Sequence, residues 1–550
     1  MNADARGAYN PDAMTATARA LPPLDRPLLW GRLYREAELL KAALRVYTKP
    51  LFAWRKALAV STDDRTLYDF ARSGLKHLDR MHGELARGEF RFRPGLALTF
   101  NFNGKRRTLH IYPWEERVVD LLLYRLLTRS LHGWLSPHAW AYRITGFGVD
   151  RCQRGVAKAL QRGGGPRYVV KRDITEYFAS VDHGILLEQV GSLVAPGDPL
   201  MRLLESRVRF QYRRDGETLT ADRGIPFGTA VACAFANIHL TGLDRDLAAI
   251  PGIAYFRYAD DILVVTPDGP AARRAASVID DALASLRLTD KASHRHDYYF
   301  AAPPGPRTDP PREAFGFAGV SRFRHLGLEY RADGSIGLSR DKFRKIMNLF
   351  RYAFRRKAKR LARMKDPEAR ARTAVELARQ VLENGMRNIA IVDYYLKHVT
   401  DEAQLGLLDR WLAEEVLAIA TGRGHRKGNF RVISYGRLRA LGLPSLVHRR
   451  RLIRHGHLDS SFFIWKIQQA RRAAGRTEGT AATPGKGPQG PLRRGFSPSP
   501  EAAAIETPVG EGAACRWVSL KNAAATRQHS FPKPSFPLVT AAHTSQEDPR

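Results

Sequence analysis

The chain has 550 residues, 44% of them hydrophobic, which is enough for several domains with a sizeable core. Its formal charge of +34, from 89 Lys and Arg against 55 Asp and Glu, points to a polyanionic partner and favours nucleic acid, with a ribosome-like or merely solubilising basic surface as the alternative. Three cysteines (Cys152, Cys233 and Cys515) exclude a disulfide framework, and no signal-peptide core or membrane-length apolar run is present, so we expect a cytoplasmic protein without a membrane span.

Apolar residues spaced three and four apart predict helices, and alternating apolar residues predict strands. In chain order the patterns predict a mobile start (1–25), helices over 28–85, strands at 90–93 and 98–102 with a turn at Asn103-Gly104, a helix at 115–131, a buried strand from Arg167 to Asp173, helices at 185–212, 229–247 and 269–287, a strand pair at 323–330, helices over 341–473, and a disordered tail (474–550). This order predicts an α+β fold in which helices pack on one face of an antiparallel sheet.

The stretch Tyr258-Ala259-Asp260-Asp261 places two adjacent carboxylates between two apolar, β-branched runs. This pattern predicts a strand–turn–strand unit with the acids at its tip. Adjacent like charges are unfavourable unless a cation neutralises them, and a divalent metal ion is the usual partner. An exposed acidic turn is the alternative.

A second acid, Asp173, ends the apolar strand that begins at Arg167. In-line phosphoryl transfer uses two metal ions about 4 Å apart, bridged by carboxylates from separate strands. Asp173, Asp260 and Asp261 could supply these ligands, with the backbone carbonyl of Ile174 as a further one. A helix N-cap is the alternative role of Asp173 alone.

Residues 223–229 form a Gly-Pro-rich loop before a helix of small residues. Its two glycines, Gly224 and Gly228, allow the backbone to approach a base pair closely. Together these stretches resemble the reverse transcriptase family in the family's own order. The matching stretches are 172–183, 224–228 with 236–238, 258–261, 286–291 and 323–327.

The resemblance covers about residues 95–335 and implies a right-hand polymerase fold with fingers, an antiparallel-sheet palm that carries the Asp-Asp hairpin, and an α-helical thumb and extension. The domains expected are 1–87 (flexible segment and helical extension), 88–335 (fingers and palm), 336–473 (thumb and accessory helices) and 474–550 (tail). The implied activity is RNA-directed DNA synthesis: dNTPs are added to a 3′-hydroxyl on an RNA or DNA template-primer, with two Mg²⁺ ions that Mn²⁺ can replace.

The resemblance also implies roles for single residues near the nucleotide. Arg107, helped by Lys105, would cover the triphosphate, and Phe178 would exclude a 2′-hydroxyl, with a core aromatic as the alternative. Lys291 would approach the pyrophosphate as a cation or general acid, with a surface lysine as the alternative. The residues expected at the primer or template are Gly228, Tyr258, Leu326 and Gly327.

Two positions depart from the family pattern. Phe227 stands where the family usually has a Gln that contacts the sugar, so the ring would pack near the nucleotide instead of donating a hydrogen bond. Asn101 stands where a second cation is common. These departures motivate an alternative in which the chain is a catalytically silent nucleic-acid-binding scaffold or sensor.

The helical region after residue 340 is similar to the extension of bacterial defence-associated reverse transcriptases of the unknown-group or abortive-infection-like kind, within the group II intron-like lineage. Residues 385–465 resemble the second polymerase of type-3 two-enzyme systems. This likeness implies antiphage defence, a non-coding RNA and a second reverse transcriptase subunit as partners, and a homo- or hetero-oligomer. A mobile-element reverse transcriptase is the other alternative. The basic residues 342–365 would follow a phosphate backbone, or form a solvated helix face.

Overall fold

The computed structural model describes residues 21–50, 56–57, 59–102, 105–143, 146–302, 313–383 and 389–458. The predicted tail (474–550), Cys515, the turn at Asn103-Gly104 and most of the predicted mobile start lie outside these ranges. Within them, no helix combines the length and the apolar character that crossing a membrane requires.

The strands in chain order are β1 (Gly95–Phe102), β2 (Lys105–Ile111), β3 (Arg167–Asp173), β4 (Gln211–Arg214), β5 (Glu217–Thr220), β6 (Ala254–Tyr258), β7 (Asp261–Thr266), β8 (His296–Phe300), β9 (Ala318–Val320), β10 (Arg322–His325), β11 (Leu328–Arg331) and β12 (Ile336–Leu338). In the described residues they form sheets with the orders β6-β7-β3-β8-β9, β2-β1-β4-β5 and β10-β11-β12. In the first, which we call the central sheet, the four strands from β6 to β8 are antiparallel as predicted, and the edge strand β9 is parallel to β8.

The helices in chain order are α1 (Trp30–Leu33), α2 (Glu36–Thr48), α3 (Leu67–Arg72), α4 (Gly74–Ala86), α5 (Trp114–Ser130), α6 (Val149–Gln161), α7 (Tyr177–Ser180), α8 (His183–Gly191), α9 (Pro199–Val208), α10 (Val231–His239), α11 (Thr241–Ala248), α12 (Gly269–Ser285), α13 (Arg340–Arg356), α14 (Ala358–Arg363), α15 (Pro367–Glu383), α16 (Ile389–Leu396), α17 (Glu402–Thr421), α18 (Asn429–Val432), α19 (Tyr435–Ala440) and α20 (Leu446–Arg454). A short 3₁₀ helix (Ala292–His294) precedes β8. The α+β class is therefore confirmed.

Helices cover both faces of the central sheet, so the expectation of one covered face is wrong. Successive side chains of a strand point to opposite faces, and those of β3 and β7 are apolar on each. Val170 and Val264 join a core with α12, whereas Val169 and Leu263 join a second core with α6 and the C-terminal helices. The C-terminal helices thus share a core with the underside of the sheet that carries the acids.

Three predicted elements differ from the structure. Residues 90–93 form no strand, because they pair with no neighbour; Phe90 is buried and Arg93 binds Glu116. The helix predicted over 229–247 is two helices, α10 and α11, separated at Leu240. The segment 185–212 is likewise divided into α8 and α9, since Asp198 caps a new helix with Pro199 in its first turn.

Candidate active site

The two adjacent acids lie at the tip of a tight hairpin. Tyr258 of β6 pairs with Asp261 of β7, which leaves Ala259 and Asp260 as the connecting residues. Ala259 has φ of +60°, a left-handed conformation that is unfavourable by about 1–2 kcal/mol for a residue other than glycine. Arg257 Nη1 donates to the Ala259 carbonyl at 3.3 Å, so a buried guanidinium holds the strained turn.

The third acid meets this hairpin through strand pairing. Asp173 lies directly opposite Asp261 in the antiparallel β3–β7 register, where Cα atoms are about 4.5–5.5 Å apart. The Ile174 amide donates to the Asp260 carbonyl at 3.2 Å, which closes the end of the sheet. The structure therefore brings the three predicted carboxylates together, well inside the separation that shared metal ions require.

The carboxylates of this cluster differ in their electrostatic surroundings. Burial, followed by the charge of Asp173, raises the pKa of Asp260 to about 6. Burial also opposes ionisation of Asp173 and Asp261, but neighbouring cationic and imidazole groups outweigh it, so the pKa of each lies below its ordinary value. The site thus holds two ionised acids beside a third that is difficult to ionise.

Lysine and histidine side chains provide this compensation. Lys291 Nζ lies 2.8 Å from Asp173 Oδ2 and donates to the Ile174 carbonyl at 3.3 Å. His294 Nδ1 lies 2.6 Å from the same Asp173 oxygen. On the other side, Lys171 Nζ is 3.8 Å from Asp261 Oδ1, and His325 Nδ1 is 3.3 Å from Asp261 Oδ2.

Of these four residues, only Lys291 was predicted from the sequence. Lys171 is two residues before Asp173 in β3, and period-two alternation could have placed both side chains on one face. His294 lies one turn after Lys291 and could have been considered with it. His325 had no local signal, because only the packing of β10 beneath the sheet brings it to Asp261.

The donor set suits a hard divalent cation, because carboxylate and carbonyl oxygens are the ligands that Mg²⁺ prefers. Oδ1 of Asp261 is buried and accepts no hydrogen bond among the described residues, and the raised pKa of Asp260 reflects burial first and the negative charge of Asp173 second. The same described residues contain no group of three His, Cys, Asp or Glu side chains already arranged around one ion. Lys291 and His294 both contact Oδ2 of Asp173, so an ion that binds this oxygen would displace them.

The residues expected at the nucleotide form one contiguous row. The rings of Phe178 and Phe227 are 5.6 Å apart in an edge-to-face arrangement. Arg107 Cζ lies 5.8 Å from the centroid of the Phe227 ring. The structure therefore brings Arg107, Phe227 and Phe178 together, and the side chain of Lys105 lies outside the described residues.

Gly228 is required for a reason other than the predicted approach to a base pair. Its φ is +111°, and a Cβ atom there would lie 2.4 Å from Leu109 Cδ1 in β2. The neighbouring Phe227 carbonyl accepts the His110 amide of β2 at 2.9 Å. The group that approaches Gly228 closely is thus the chain's own β2 strand. Contact of Gly228 with a template stays a prediction.

The other residues expected at the primer lie where the sheet meets the C-terminal helices. Leu326 and Gly327 both have positive φ (46° and 84°) and connect β10 to β11 in a two-residue hairpin turn. A Cβ atom on Gly327 would lie 2.7 Å from Lys342 Cε of α13. Tyr258 packs partly buried against the second core, and burial raises its pKa to about 12.

The exposed basic surface predicted over 342–365 is present on α13, α14 and the residues that follow them. Its exposed cations with no ion pair among the described residues are Arg344, Arg355, Arg356, Lys357, Lys359, Arg360, Arg363 and Lys365. Other side chains of α13, such as Phe350 and Phe354, are buried. The helix therefore presents one apolar face to the core and one cationic face to solvent.

Comparison with known proteins gives one family match. The family described as "Reverse transcriptase (RNA-dependent DNA polymerase)" matches residues 106–295, the segment that contains Arg107, Phe178, Phe227, Lys291 and the acids. No curated protein matches the chain. Among solved structures, the apo telomerase of Candida tropicalis, truncated from its C-terminal domain, is similar with a TM-score of 0.34 and 11% identity, over 45% of this chain and 55% of that one. The chain thus spans about half the length of that telomerase, and a likeness this low supports no inference about function.

Proposed function

Because residues 106–295 are a reverse transcriptase domain, the domain of RNA-directed DNA polymerases, we propose that this protein adds dNTPs to the 3′-hydroxyl of a primer on an RNA or DNA template. The observation that carries the proposal is the register that sets Asp173 opposite Asp261, with Asp260 in the adjoining turn. Two-metal phosphoryl transfer needs this convergence of carboxylates from separate strands.

Asp173, Asp260, Asp261 and the carbonyl of Ile174 would hold the metal ions. When bound, two Mg²⁺ or Mn²⁺ ions favour ionisation of the 3′-hydroxyl and stabilise charge on the leaving pyrophosphate. Lys291, once released from Asp173, remains beside the site through its backbone amide, which donates to the Asp173 carbonyl at 2.9 Å. Its ammonium group can then meet the negative charge that develops on the pyrophosphate.

The row of Arg107, Phe227 and Phe178 would bind the incoming nucleotide. Arg107 supplies charge for the triphosphate, and the two rings form an apolar wall beside the sugar. Phe227 supports Phe178 by edge-to-face packing, which gives the unusual ring a role that Gln could not have. The exposed cations of residues 355–365 would attract the phosphate backbone of the template-primer.

The test is nucleotide incorporation by the purified full chain on primed RNA and DNA, with Mg²⁺ or Mn²⁺. We expect the double variant Asp260→Ala, Asp261→Ala to lose at least about 100-fold in rate. Asp268→Ala is the matched control, because Asp268 is an exposed acid just beyond the other end of β7. Equal incorporation by the wild type and the double variant would contradict the proposal.

We further propose bacterial antiphage defence in the cytoplasm as the setting, with a non-coding RNA, a second reverse transcriptase subunit or another copy of the chain as partners. Its support is the likeness of the helical region after residue 340 to the extension of defence-associated enzymes. Cells that carry the wild type should resist phage, and cells that carry the double variant should not. Full protection by the double variant would favour a silent scaffold instead, and an intron RNA encoded beside the gene would favour a mobile element.

The division into 1–87, 88–335, 336–473 and 474–550 is part of the same proposal. Its support is that residues 30–86 are helical, and that helices from α13 onward follow the last sheet. The shared second core implies that the C-terminal helices and the sheet fold together. Limited proteolysis would therefore remove the predicted mobile start (1–25) and the predicted tail (474–550) before it separates residues 88–335 from the helices after them.

Truncation of Phe178 is expected to relax the choice between deoxyribonucleotides and ribonucleotides. Its half-buried ring packs on Phe227, and removing it opens space for a 2′-hydroxyl. For Phe178→Ala we expect the ratio of kcat/KM for dCTP over CTP to fall by about 10–100-fold. Phe178→Tyr, which keeps an aromatic ring at this position, is the control. An unchanged ratio in Phe178→Ala would show that the ring only fills the core.

A further inference from the structure

The β10–β11 hairpin is joined to the acidic end of the central sheet by polar contacts. Lys171 Nζ donates to the Arg324 carbonyl at 3.1 Å, and Gln153 Nε2 of α6 donates to the Leu326 carbonyl at 2.9 Å. Between these two carbonyls, His325 Nδ1 lies 3.3 Å from Asp261 Oδ2. The hairpin is therefore held on both sides of His325, and His325 faces Asp261, a candidate metal ligand.

His325 is an unusual residue for its place in the core. Its side chain has no exposed surface, and β10 alternates so that Phe323 and His325 both point inward. Neither ring nitrogen makes an aligned hydrogen bond among the described residues, and neither does Oδ1 of Asp261. A buried polar group without a partner is unfavourable, whereas an apolar ring such as Phe would fill this space without that penalty.

Nδ1 of His325 faces Oδ2 of Asp261 across a 3.3 Å contact that a small rotation would close into a hydrogen bond. A donor on one oxygen of Asp261 fixes the plane of the carboxylate and directs its other oxygen. Lys171 Nζ is the described cation on the Oδ1 side, and at 3.8 Å it is too distant for a hydrogen bond. Orientation of Asp261 by a direct donor therefore depends on His325.

We propose that His325 is a positioning residue for Asp261: its Nδ1–H group orients the carboxylate for a divalent ion and couples metal affinity to the position of the Leu326-Gly327 turn. This inference rests on the proposed function, because it assigns Asp261 to the metal site. Partners that orient ligating carboxylates commonly change metal affinity by about 10–100-fold when they are removed.

The test measures Mn²⁺ binding to the purified full chain by calorimetry and by electron paramagnetic resonance, without nucleotide or primer. His325→Asn keeps an N–H donor near the position of Nδ1, whereas His325→Gln moves the donor outward, and His325→Phe keeps the ring without a donor. We expect Mn²⁺ affinity within about 3-fold of wild type for His325→Asn, and about 10-fold weaker for His325→Gln and His325→Phe. Arg322→Gln, at an exposed position of the same strand, is the matched control.

The comparison of His325→Asn with His325→Gln tests the role of His325 even if His325→Phe does not fold. Both amide side chains are polar and smaller than the imidazole ring, so they differ mainly in where they place the N–H donor. Equal affinity in these two variants, or wild-type affinity in a folded His325→Phe, would overturn the role of His325 and leave the proposed function standing. Absence of Mn²⁺ binding that depends on Asp260 and Asp261 in the wild type would overturn the metal site itself, and this inference with it.

Discussion

Replacing Asp260 with asparagine is expected to abolish nucleotide incorporation and, at neutral pH, to make the metal-free protein more stable. Burial and the charge of Asp173 raise the pKa of Asp260 from 3.8 to about 6 in the folded chain. The ionised form that predominates at neutral pH is therefore disfavoured by folding. Asparagine has nearly the same shape and carries no charge, so it removes this penalty together with the metal ligand.

The sign of the pH dependence follows from the direction of this shift. Because the folded state holds the proton more tightly, it binds more protons than the unfolded state between pH 3.8 and about 6. The contribution of Asp260 to stability is therefore most unfavourable above about pH 6 and is relieved as the pH falls toward 4. The full penalty is at most about 3 kcal/mol.

The measurement is thermal unfolding of wild type and Asp260→Asn with a chelator present, at pH about 7.5 and about 4.5. We expect Tm to rise by a few degrees at the higher pH and by much less at the lower one. Asp268→Asn, at an exposed acid just beyond the far end of β7, should show neither change. A lower Tm for Asp260→Asn at neutral pH would show that its carboxylate stabilises the fold.

Loss of Asp244 is expected to destabilise the protein more than any substitution at the acids themselves. Asp244 and Arg257 are both buried, and the carboxylate accepts from Arg257 Nε at 2.6 Å, from Arg257 Nη2 at 2.5 Å and from Tyr255 Oη at 2.7 Å. Removing one partner of a buried, hydrogen-bonded ion pair leaves an uncompensated charge, with a penalty of about 3–5 kcal/mol.

This ion pair also supports the geometry of the site. Arg257 Nη1 contacts the Asn237 side-chain oxygen at 3.2 Å and the Ala259 carbonyl at 3.3 Å, so the guanidinium connects α10, α11 and the acidic turn. Without Asp244 the guanidinium has no carboxylate to hold it against the turn. Metal affinity should therefore fall together with stability in Asp244→Asn.

Urea unfolding of Asp244→Asn against wild type measures the first effect, and Mn²⁺ binding by the folded fraction measures the second. Glu205→Gln, which breaks the exposed pair between Glu205 and Arg209, should change the free energy of unfolding by no more than about 0.5 kcal/mol. The double variant Asp244→Leu, Arg257→Met should recover most of the stability, because it leaves no buried charge. A loss below about 1 kcal/mol in Asp244→Asn would show that solvent reaches this pair.

Patterns that depend on near neighbours in the chain were sufficient to predict the acidic hairpin, the strand that ends at Asp173, and helices such as Gly269–Ser285. Hydrophobic alternation and turn residues act over a few positions, so they can be recognised in one sequence. The same patterns were wrong where distant contacts decide, as at residues 90–93, which alternate like a strand but have no strand to pair with.

By itself, then, the amino-acid sequence determined which residues are candidates for the chemistry and on which elements most of them lie. Only the tertiary structure decided that Asp173 pairs with Asp261, that Phe178 packs on Phe227, and that His325 lies beneath the acids. The physical reason is that strand register and the packing of distant side chains are set by the free energy of the whole core, which no short stretch of sequence contains.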